Sequence, residues 1–284
     1  MSLSWRSPLD PERVLQVSIT HWHRDEQQQK EDQVTVEEPL EIRIAGRNLA
    51  IIMRTPGHDY ELALGFLFSE GVIQNVDEIH TIENALDDDG LPLANVVNVV
   101  LSNQGQQAAL SSQPTAFERH FAVSASCGLC GKNSITDLLH ATCPLEPDNL
   151  HIATTILYEL AQRLRAQQAV FSHTGGLHAA GLFTPDGELL LLREDIGRHN
   201  AVDKLVGYSL FHGLYPCRQH ILVVSGRTSF EILQKALLAR IPCVVAISAP
   251  SSLAIELAER GGITLIGFLR DQSLNVYTHP QRVV

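Results

Sequence analysis

From residue 151 to the end of the chain, short apolar strands alternate with amphipathic helices. The strands are predicted at residues 177–183, 188–192, 220–224, 243–247 and 264–268. Helices are predicted before the first strand and between most of the later ones. This alternation predicts a mostly parallel sheet that is covered by helices on both faces. The sequence therefore indicates an α/β fold in this part of the chain.

Ligands of such sheets bind outside the carboxyl ends of the strands. Four polar or charged segments follow predicted strands, at residues 193–199, 225–229, 248–252 and 268–273. The small residues at 225–229 can expose backbone N–H groups at a helix start, and Arg227 can bind phosphate through two donors. The alternative for this turn is a capped helix start with a solvated arginine.

The N-terminal half is predicted to be rich in strands. Residues 34–44, 48–54, 78–83 and 95–101 have strand patterns, and one helix follows residue 55, with Thr55 as its expected cap. Residues 1–30 are polar and indicate a loosely held tail or an edge strand with a loop. We predict an α+β domain at 1–125, a mobile linker at 126–150 and a second α/β domain at 151–284.

Composition limits the classes of partner. The chain has 284 residues and a net charge of -11, which argues against a broad nucleic-acid-binding surface. No apolar stretch is long enough to span a membrane, and no signal peptide is visible. The five cysteines then indicate reduced thiols, and we expect a cytoplasmic protein.

Cys127 and Cys130 form a C-x-x-C pair just before a predicted helix start. Such a position can lower a cysteine pKa from about 8.5 into a range of roughly 3.5 to 7.5. A structural zinc site needs four ligands, so it would require the pair of a second subunit. A thioredoxin-like redox site would need a strand before the pair. The loop context favours a mobile thiol that carries sulfur between two partners.

Six segments together resemble the FdhD family of sulfur carrier proteins. They span most of the chain, at residues 54–71, 127–132, 173–180, 193–204, 225–229 and 277–280. The resemblance implies a sulfurtransferase that takes sulfur from a cysteine desulfurase and passes it to the molybdenum bis(molybdopterin guanine dinucleotide) cofactor. The sulfurated cofactor then serves the catalytic subunit of formate dehydrogenase.

The resemblance also implies roles for individual residues. Cys127 matches the persulfide-bearing cysteine and Cys130 its partner in the motif. The cofactor-binding stretch corresponds to Phe268, Leu269, Arg270, Asp271, Gln272 and Ser273. We add a second group of residues that we expect to bind the phosphates of the cofactor, and those of GDP as well. This group is Arg198, His199, Ser225, Gly226, Arg227 and Thr228. We expect a homodimer.

The family's C-terminal half is similar in fold to cytidine deaminases. The zinc signature of those enzymes is not retained, because Ala201 stands where the catalytic carboxylate would be. We therefore expect no metal site. Two alternatives to the sulfur carrier remain open. One is a cofactor-binding chaperone whose cysteines only bind a metal or the target enzyme, and the other is a general dithiol oxidoreductase.

Overall fold

A computed structural model describes residues 12–103, 105, 121–122 and 143–284. The elements before residue 123 are β1 Val14–His23, β2 Glu26–Thr35, β3 Glu38–Ile44, β4 Arg47–Arg54, α1 Asp59–Ser69, β5 Ile79–Leu86, β6 Pro92–Leu101 and β7 Phe121–Ala122. Those after residue 142 are α2 Thr154–Gln167, α3 Ala169–Thr174, β8 His178–Phe183, β9 Leu189–Asp195, α4 Arg198–Phe211, β10 Ile221–Val224, α5 Phe230–Leu238, β11 Cys243–Ala246, α6 Ser252–Gly261, β12 Thr264–Arg270 and β13 Ser273–Val276.

The C-terminal part has three layers. Its sheet has the strand order β13-β12-β11-β10-β8-β9. Alternate residues of β10 point to opposite faces, so Ile221 and Val223 pack with α2 while Leu222 and Val224 join the core formed with α4, α5 and α6. Both faces are therefore buried under helices. This arrangement confirms the predicted α/β class.

The expectation of a mostly parallel sheet is wrong. Only two of its five strand pairs, β10–β11 and β11–β12, are parallel, whereas β8 pairs antiparallel with both β9 and β10, and β13 pairs antiparallel with β12. The connections explain the difference, since β8–β9 and β12–β13 are each joined by a short turn. A turn of that length allows only antiparallel neighbours.

The N-terminal part is rich in strands, as predicted. One sheet has the order β5-β6-β3-β4-β7, and its buried face packs against α1 in the same hydrophobic cluster as the C-terminal helices. Strands β1 and β2 form a separate two-stranded hairpin instead of a loose tail or a single edge strand. The hairpin contacts α3 through a hydrogen bond from Thr35 Oγ1 to Thr174 Oγ1 of 2.8 Å.

Helices α1 and α4 cross at very close range and join the two parts of the chain. A Cβ atom added to Gly65 would lie 1.9 Å from the carbonyl oxygen of Asp203, and one added to Gly207 would lie 1.9 Å from that of Glu61. Only glycine permits this crossing. The domain boundaries at 125 and 150 stay predictions.

Thr55 does not cap α1, contrary to the sequence prediction. The helix follows His58, which adopts a left-handed conformation with φ 59° and gives no side-chain cap. Thr55 is used differently: its N–H donates to Asp195 and its Oγ1 accepts from the backbone N–H of Ile196. The threonine therefore connects the N-terminal part to the end of β9.

In the part of the chain that the structure describes, no helix is long and apolar enough to cross a membrane.

Candidate functional site

The segments predicted to bind a ligand meet at the carboxyl ends of β10, β11 and β12. The backbone N–H of Thr228 donates to the carbonyl of Ala249, and that of Ser251 donates to the carbonyl of Thr228. The N–H of Phe268 donates to the carbonyl of Ser248. We call this group, residues 198–199, 225–229, 248–251 and 268–273, the rim.

Helix α4 brings the two basic residues to the rim. A Cβ atom on Gly226 would lie 3.8 Å from Cβ of Arg198, and His199 Nε2 lies 3.1 Å from Ser229 Oγ. The turn after β10 and the start of α4 are therefore direct neighbours. The predicted residues 198, 199 and 225–228 come together as expected.

Two helix N-termini open at the rim without side-chain caps. Helix α4 follows Gly197, and α5 follows Ser229, whose hydroxyl faces His199 instead of the helix amides. The first N–H groups of a helix lack intrahelical partners and carry a partial positive charge. Helix α6 differs, because Ser251 accepts a hydrogen bond from the N–H of Ala254. The start of α4 thus favours an anion, whereas the Glu231 carboxylate in the first turn of α5 already offsets the positive end of that helix.

The rim is also locally cationic, although the whole chain is acidic. Burial, together with Arg198 and Lys235, lowers the pKa of His199 to about 4, against an opposing effect of Glu231. This histidine is therefore neutral at physiological pH. Burial is the largest cause of this low pKa, and Lys235 is paired with Asp203, so Arg198 is the nearby cation that is free to attract an anion.

Two polar atoms at the rim are buried and have no hydrogen-bond partner among the described residues. They are the hydroxyl of Thr228, a residue that is 1% exposed, and Nε of Arg198. Buried polar groups are nearly always hydrogen-bonded, so each such atom requires an explanation. A bound anion would satisfy both, because each can donate.

Within the charged segment at 193–199, some residues stabilise the fold and others belong to the rim. Arg193 pairs with Glu61, and the Glu194 carboxylate accepts from the N–H groups of Val170 and Phe171 at the start of α3. Asp195 is fully buried and pairs with Lys204 at 2.7 Å. Only Arg198 and His199 of this segment belong to the rim.

The segment at 54–71 stabilises the fold. Arg54 forms a two-pronged salt bridge with Asp59, and both side chains are buried. The remainder of the segment is α1, which is buried along its whole length. No residue of this segment belongs to the rim.

The two histidines near the Gly175-Gly176 turn are separated in the structure. His173 lies on α3 and is exposed, whereas His178 begins β8 beside Gly226. The sequence indicates only that both histidines are pocket or turn residues, and the structure places His178 next to the rim. The antiparallel pairing of β8 with β10, which the sequence did not predict, brings the first residue of β8 to the carboxyl end of β10.

Comparison with known proteins gives a family for this architecture. The model of the FdhD/NarQ family matches residues 35–284. The chain belongs to the FdhD/NarQ family.

Similar proteins of this family are named sulfur carrier protein FdhD. The relative from Mycolicibacterium paratuberculosis is 43% identical over 269 residues, which cover 93% of this chain and 97% of that protein. The relative from Streptomyces avermitilis is 48% identical over 257 residues, covering 89% of each chain. The relative from Sulfurisphaera tokodaii is 42% identical and covers 96% of this chain and 100% of its own.

A solved structure has the same fold. The crystal structure of a putative formate dehydrogenase accessory protein from Desulfotalea psychrophila superposes with a TM-score of 0.73. It covers 96% of this chain and 100% of its own, with 23% sequence identity. This likeness concerns the fold.

The predicted sulfur-carrying C-x-x-C pair, Cys127 and Cys130, lies outside the described residues. Burial raises the pKa of Cys217 to about 11 and that of Cys243 to about 12, so neither is a thiolate at neutral pH. Both are buried structural thiols, as predicted. Cys143 is exposed, and its carbonyl accepts a hydrogen bond from Arg240.

The two residues that follow His199 in α4 serve the fold. Ala201 is fully buried in α4. The neighbouring Asn200 is used internally, since its side-chain amide donates to Asp195 and to the carbonyl of Met53. Asn200 therefore connects α4 to the ends of β4 and β9.

Proposed function

We propose that this protein is a sulfur carrier for formate dehydrogenase. It takes persulfide sulfur from a cysteine desulfurase and passes it to the molybdenum bis(molybdopterin guanine dinucleotide) cofactor of the catalytic subunit. The observation that carries this proposal is the match to relatives named sulfur carrier protein FdhD over nearly their whole length, at 42–48% identity.

In the first step, Cys127 acts as a nucleophile. Its thiolate attacks the outer sulfur of the desulfurase persulfide, and the S–S bond of the donor breaks. The desulfurase leaves as a thiolate, and the sulfur remains on Cys127 as Cys127–S–SH. No oxidant or reductant is consumed in this exchange.

Cys130 has two possible roles in the second stage. In one, its thiolate attacks Cys127–S–SH, so that a Cys127–Cys130 disulfide forms and hydrosulfide leaves for the cofactor. A thiol reductant then restores both cysteines. In the other, Cys130 only lowers the pKa of Cys127, which then delivers the sulfur itself.

The rim is the proposed binding site for the guanine dinucleotide. A pyrophosphate carries the charge that the uncapped start of α4 favours, and Arg198 and Arg227 supply charged donors. The stretch 268–273 adjoins the turn after β11 through the hydrogen bond from the N–H of Phe268 to the carbonyl of Ser248. Leu269 is buried in the core, contrary to its predicted binding role, so the other residues of the stretch are the ones proposed to contact the ligand. GDP carries the same groups and should act as a mimic. The cofactor has two guanine dinucleotide halves, so we propose a homodimer in which each subunit binds one half.

Mass spectrometry tests the sulfur step. After incubation with a desulfurase and cysteine, the wild-type protein should gain one sulfur, on the peptide that contains Cys127. Cys143→Ala is the matched control, because it removes an exposed thiol elsewhere and should leave the modification intact. An unmodified Cys127 in the wild-type protein would refute the proposal.

Nucleotide titration tests the rim. Arg227→Ala should weaken GDP binding by roughly tenfold or more, because a charged hydrogen bond to phosphate is lost. Arg260→Ala is the matched control, since Arg260 is an exposed arginine paired with Glu256 on α6. Equal GDP affinity in Arg227→Ala and wild type would remove the turn at 225–229 from the site.

A further inference from the structure

His178 occupies a position at the rim that no predicted role covers. It is the first residue of β8, and a Cβ atom on Gly226 would lie 3.1 Å from its Nδ1. The same Gly226 position lies 3.8 Å from Cβ of Arg198. The imidazole therefore borders the turn after β10 on the side that faces the start of α4.

The groups around His178 are mostly positive. Arg198 of α4 and Arg227 of the turn after β10 face it with positive charges, and His199 of α4 faces it as a neutral ring. Among the described residues, the carboxylate that raises its pKa is Asp195 of β9, which is already paired with Lys204 and accepts from the N–H of Gly197. Burial first, and then Arg198 and Arg227, lower the pKa of His178 against the opposing effect of Asp195. In the ligand-free protein, the lowered pKa of His178 therefore favours the neutral ring.

An anion bound at the rim would change the charge around His178 and raise the pKa of its imidazole. A pyrophosphate placed between Arg198 and Arg227 would cancel much of their effect on the ring and add a negative charge beside it. Both changes favour the protonated imidazole, which can donate from both of its nitrogens. A histidine suits this position better than a third permanent cation, because it adds no repulsion while the site is empty.

We propose that His178 is a binding residue for the pyrophosphate of the ligand, and that its imidazole takes up one proton from solvent as the ligand binds. This inference rests on the proposed function of the rim. It adds that loading is linked to protonation, and that release of the ligand returns the proton to solvent.

The sign of the pH dependence follows from linkage. The ligand-bound state holds more protons than the empty state between the two pKa values of His178. Affinity therefore rises as the pH falls through this interval, and it is constant where both states are neutral or both protonated. From pH 8 to pH 6 we expect the affinity to increase by roughly three- to tenfold.

The probe is P1,P2-di(guanosine-5′) diphosphate, whose internal pyrophosphate stays fully ionised from pH 5 to pH 8 and contributes no proton of its own. Calorimetric titrations at pH 6.5 in two buffers of different ionisation enthalpy, neither of them phosphate, give the number of protons taken up. Wild type should take up a substantial fraction of one proton per site. His178→Gln should lose that uptake, bind more weakly and show a flat pH profile.

His173→Gln is the matched control, because His173 is an exposed histidine on α3 from the same stretch of sequence. It should bind and take up protons as wild type does. Imidazole NMR signals of the wild-type protein, followed with and without the probe, give a second measurement that requires no folded variant. The His178 ring should change from neutral to protonated at pH 6.5 when the probe is added.

Equal proton uptake in wild type and His178→Gln, or a His178 ring that stays neutral with the probe bound, would overturn this inference and leave the rim as a binding site. Absence of binding to the wild-type protein would overturn the proposed rim and this inference together.

Discussion

Thr228 is the residue at which stability and binding should conflict. Its hydroxyl is buried and has no partner among the described residues, and such a group costs about 1–3 kcal/mol. Thr228→Val keeps the shape and removes the hydroxyl. We predict that the free energy of unfolding of the ligand-free protein rises by about 1 kcal/mol, while GDP affinity falls by roughly tenfold. Denaturant unfolding and GDP titration measure the two effects.

Thr264→Val is the matched control for this substitution. Thr264 is equally buried, but its hydroxyl donates to the carbonyl of His279 and accepts from Arg282. Its loss should lower the free energy of unfolding by about 1–3 kcal/mol and leave GDP affinity unchanged. A destabilised Thr228→Val with normal GDP affinity would assign the Thr228 hydroxyl to the fold and not to the ligand.

The rim residues could be predicted because a rule of topology determines their positions. Residues that follow β10 and β12 must lie at the same edge of the sheet, so the strands alone predict that 225–228 and 268–273 lie near each other. The roles within 193–199 could not be separated in this way. Arg193 pairs with Glu61, and Asp195 accepts a hydrogen bond from Thr55; both partners are more than 130 positions away in the chain. Sequence order carries no information about such partners.

At the scale of elements, the crossing of α1 and α4 depends on two glycines. Gly65→Ala would place a methyl group 1.9 Å from the backbone carbonyl of Asp203, and a backbone atom of a packed helix has little freedom to move. We predict a loss of about 3 kcal/mol or more in the free energy of unfolding, measured by denaturant titration.

Gly261→Ala provides the control, as a glycine at the end of α6. Its added methyl group would meet only the side chain of Leu237, at 3.0 Å, and that side chain can rotate away. We expect a change of less than about 1 kcal/mol. Similar losses for both variants would show that the close approach of α1 and α4 is not what Gly65 provides.

Two elements differ from the sequence prediction, the hairpin β1–β2 and the start of α1, and both differ for the same physical reason. Residues 14–35 lack the apolar runs of a core strand, yet β1 and β2 pair over ten residues as a largely exposed hairpin. The start of α1 was misplaced because Thr55 has a capping side chain but uses it on Ile196. Local sequence preferences show which secondary structures and hydrogen bonds are available to a residue. Contacts with distant parts of the chain determine which of them form.

At the scale of the whole molecule, a buried ion pair connects both parts of the chain. Lys204 on α4 pairs with Asp195 and also donates to the carbonyl of Thr55 in the N-terminal part. Lys204→Met would leave Asp195 buried without its counter-charge. We predict a loss of about 3–5 kcal/mol in the free energy of unfolding.

Calorimetry should also show one unfolding transition for wild type, because the two parts share one hydrophobic cluster. Arg260→Met is the control for Lys204→Met, since it breaks an exposed pair with Glu256 and should cost less than about 1 kcal/mol. Two separate transitions in the wild-type protein would mean that its two parts unfold independently, against this account.

Sulfur transfer by Cys127 can be followed with radioactive sulfur from the desulfurase to the cofactor. The protein is loaded by a desulfurase with ³⁵S-cysteine, purified, and incubated with the molybdenum cofactor and formate dehydrogenase that lacks it. We predict that the label leaves Cys127, appears on the cofactor, and rises in step with formate dehydrogenase activity. Cys127→Ala protein should transfer no label and restore no activity. Full activity with the Cys127→Ala protein would contradict sulfur carriage and identify the protein as a cofactor-binding chaperone.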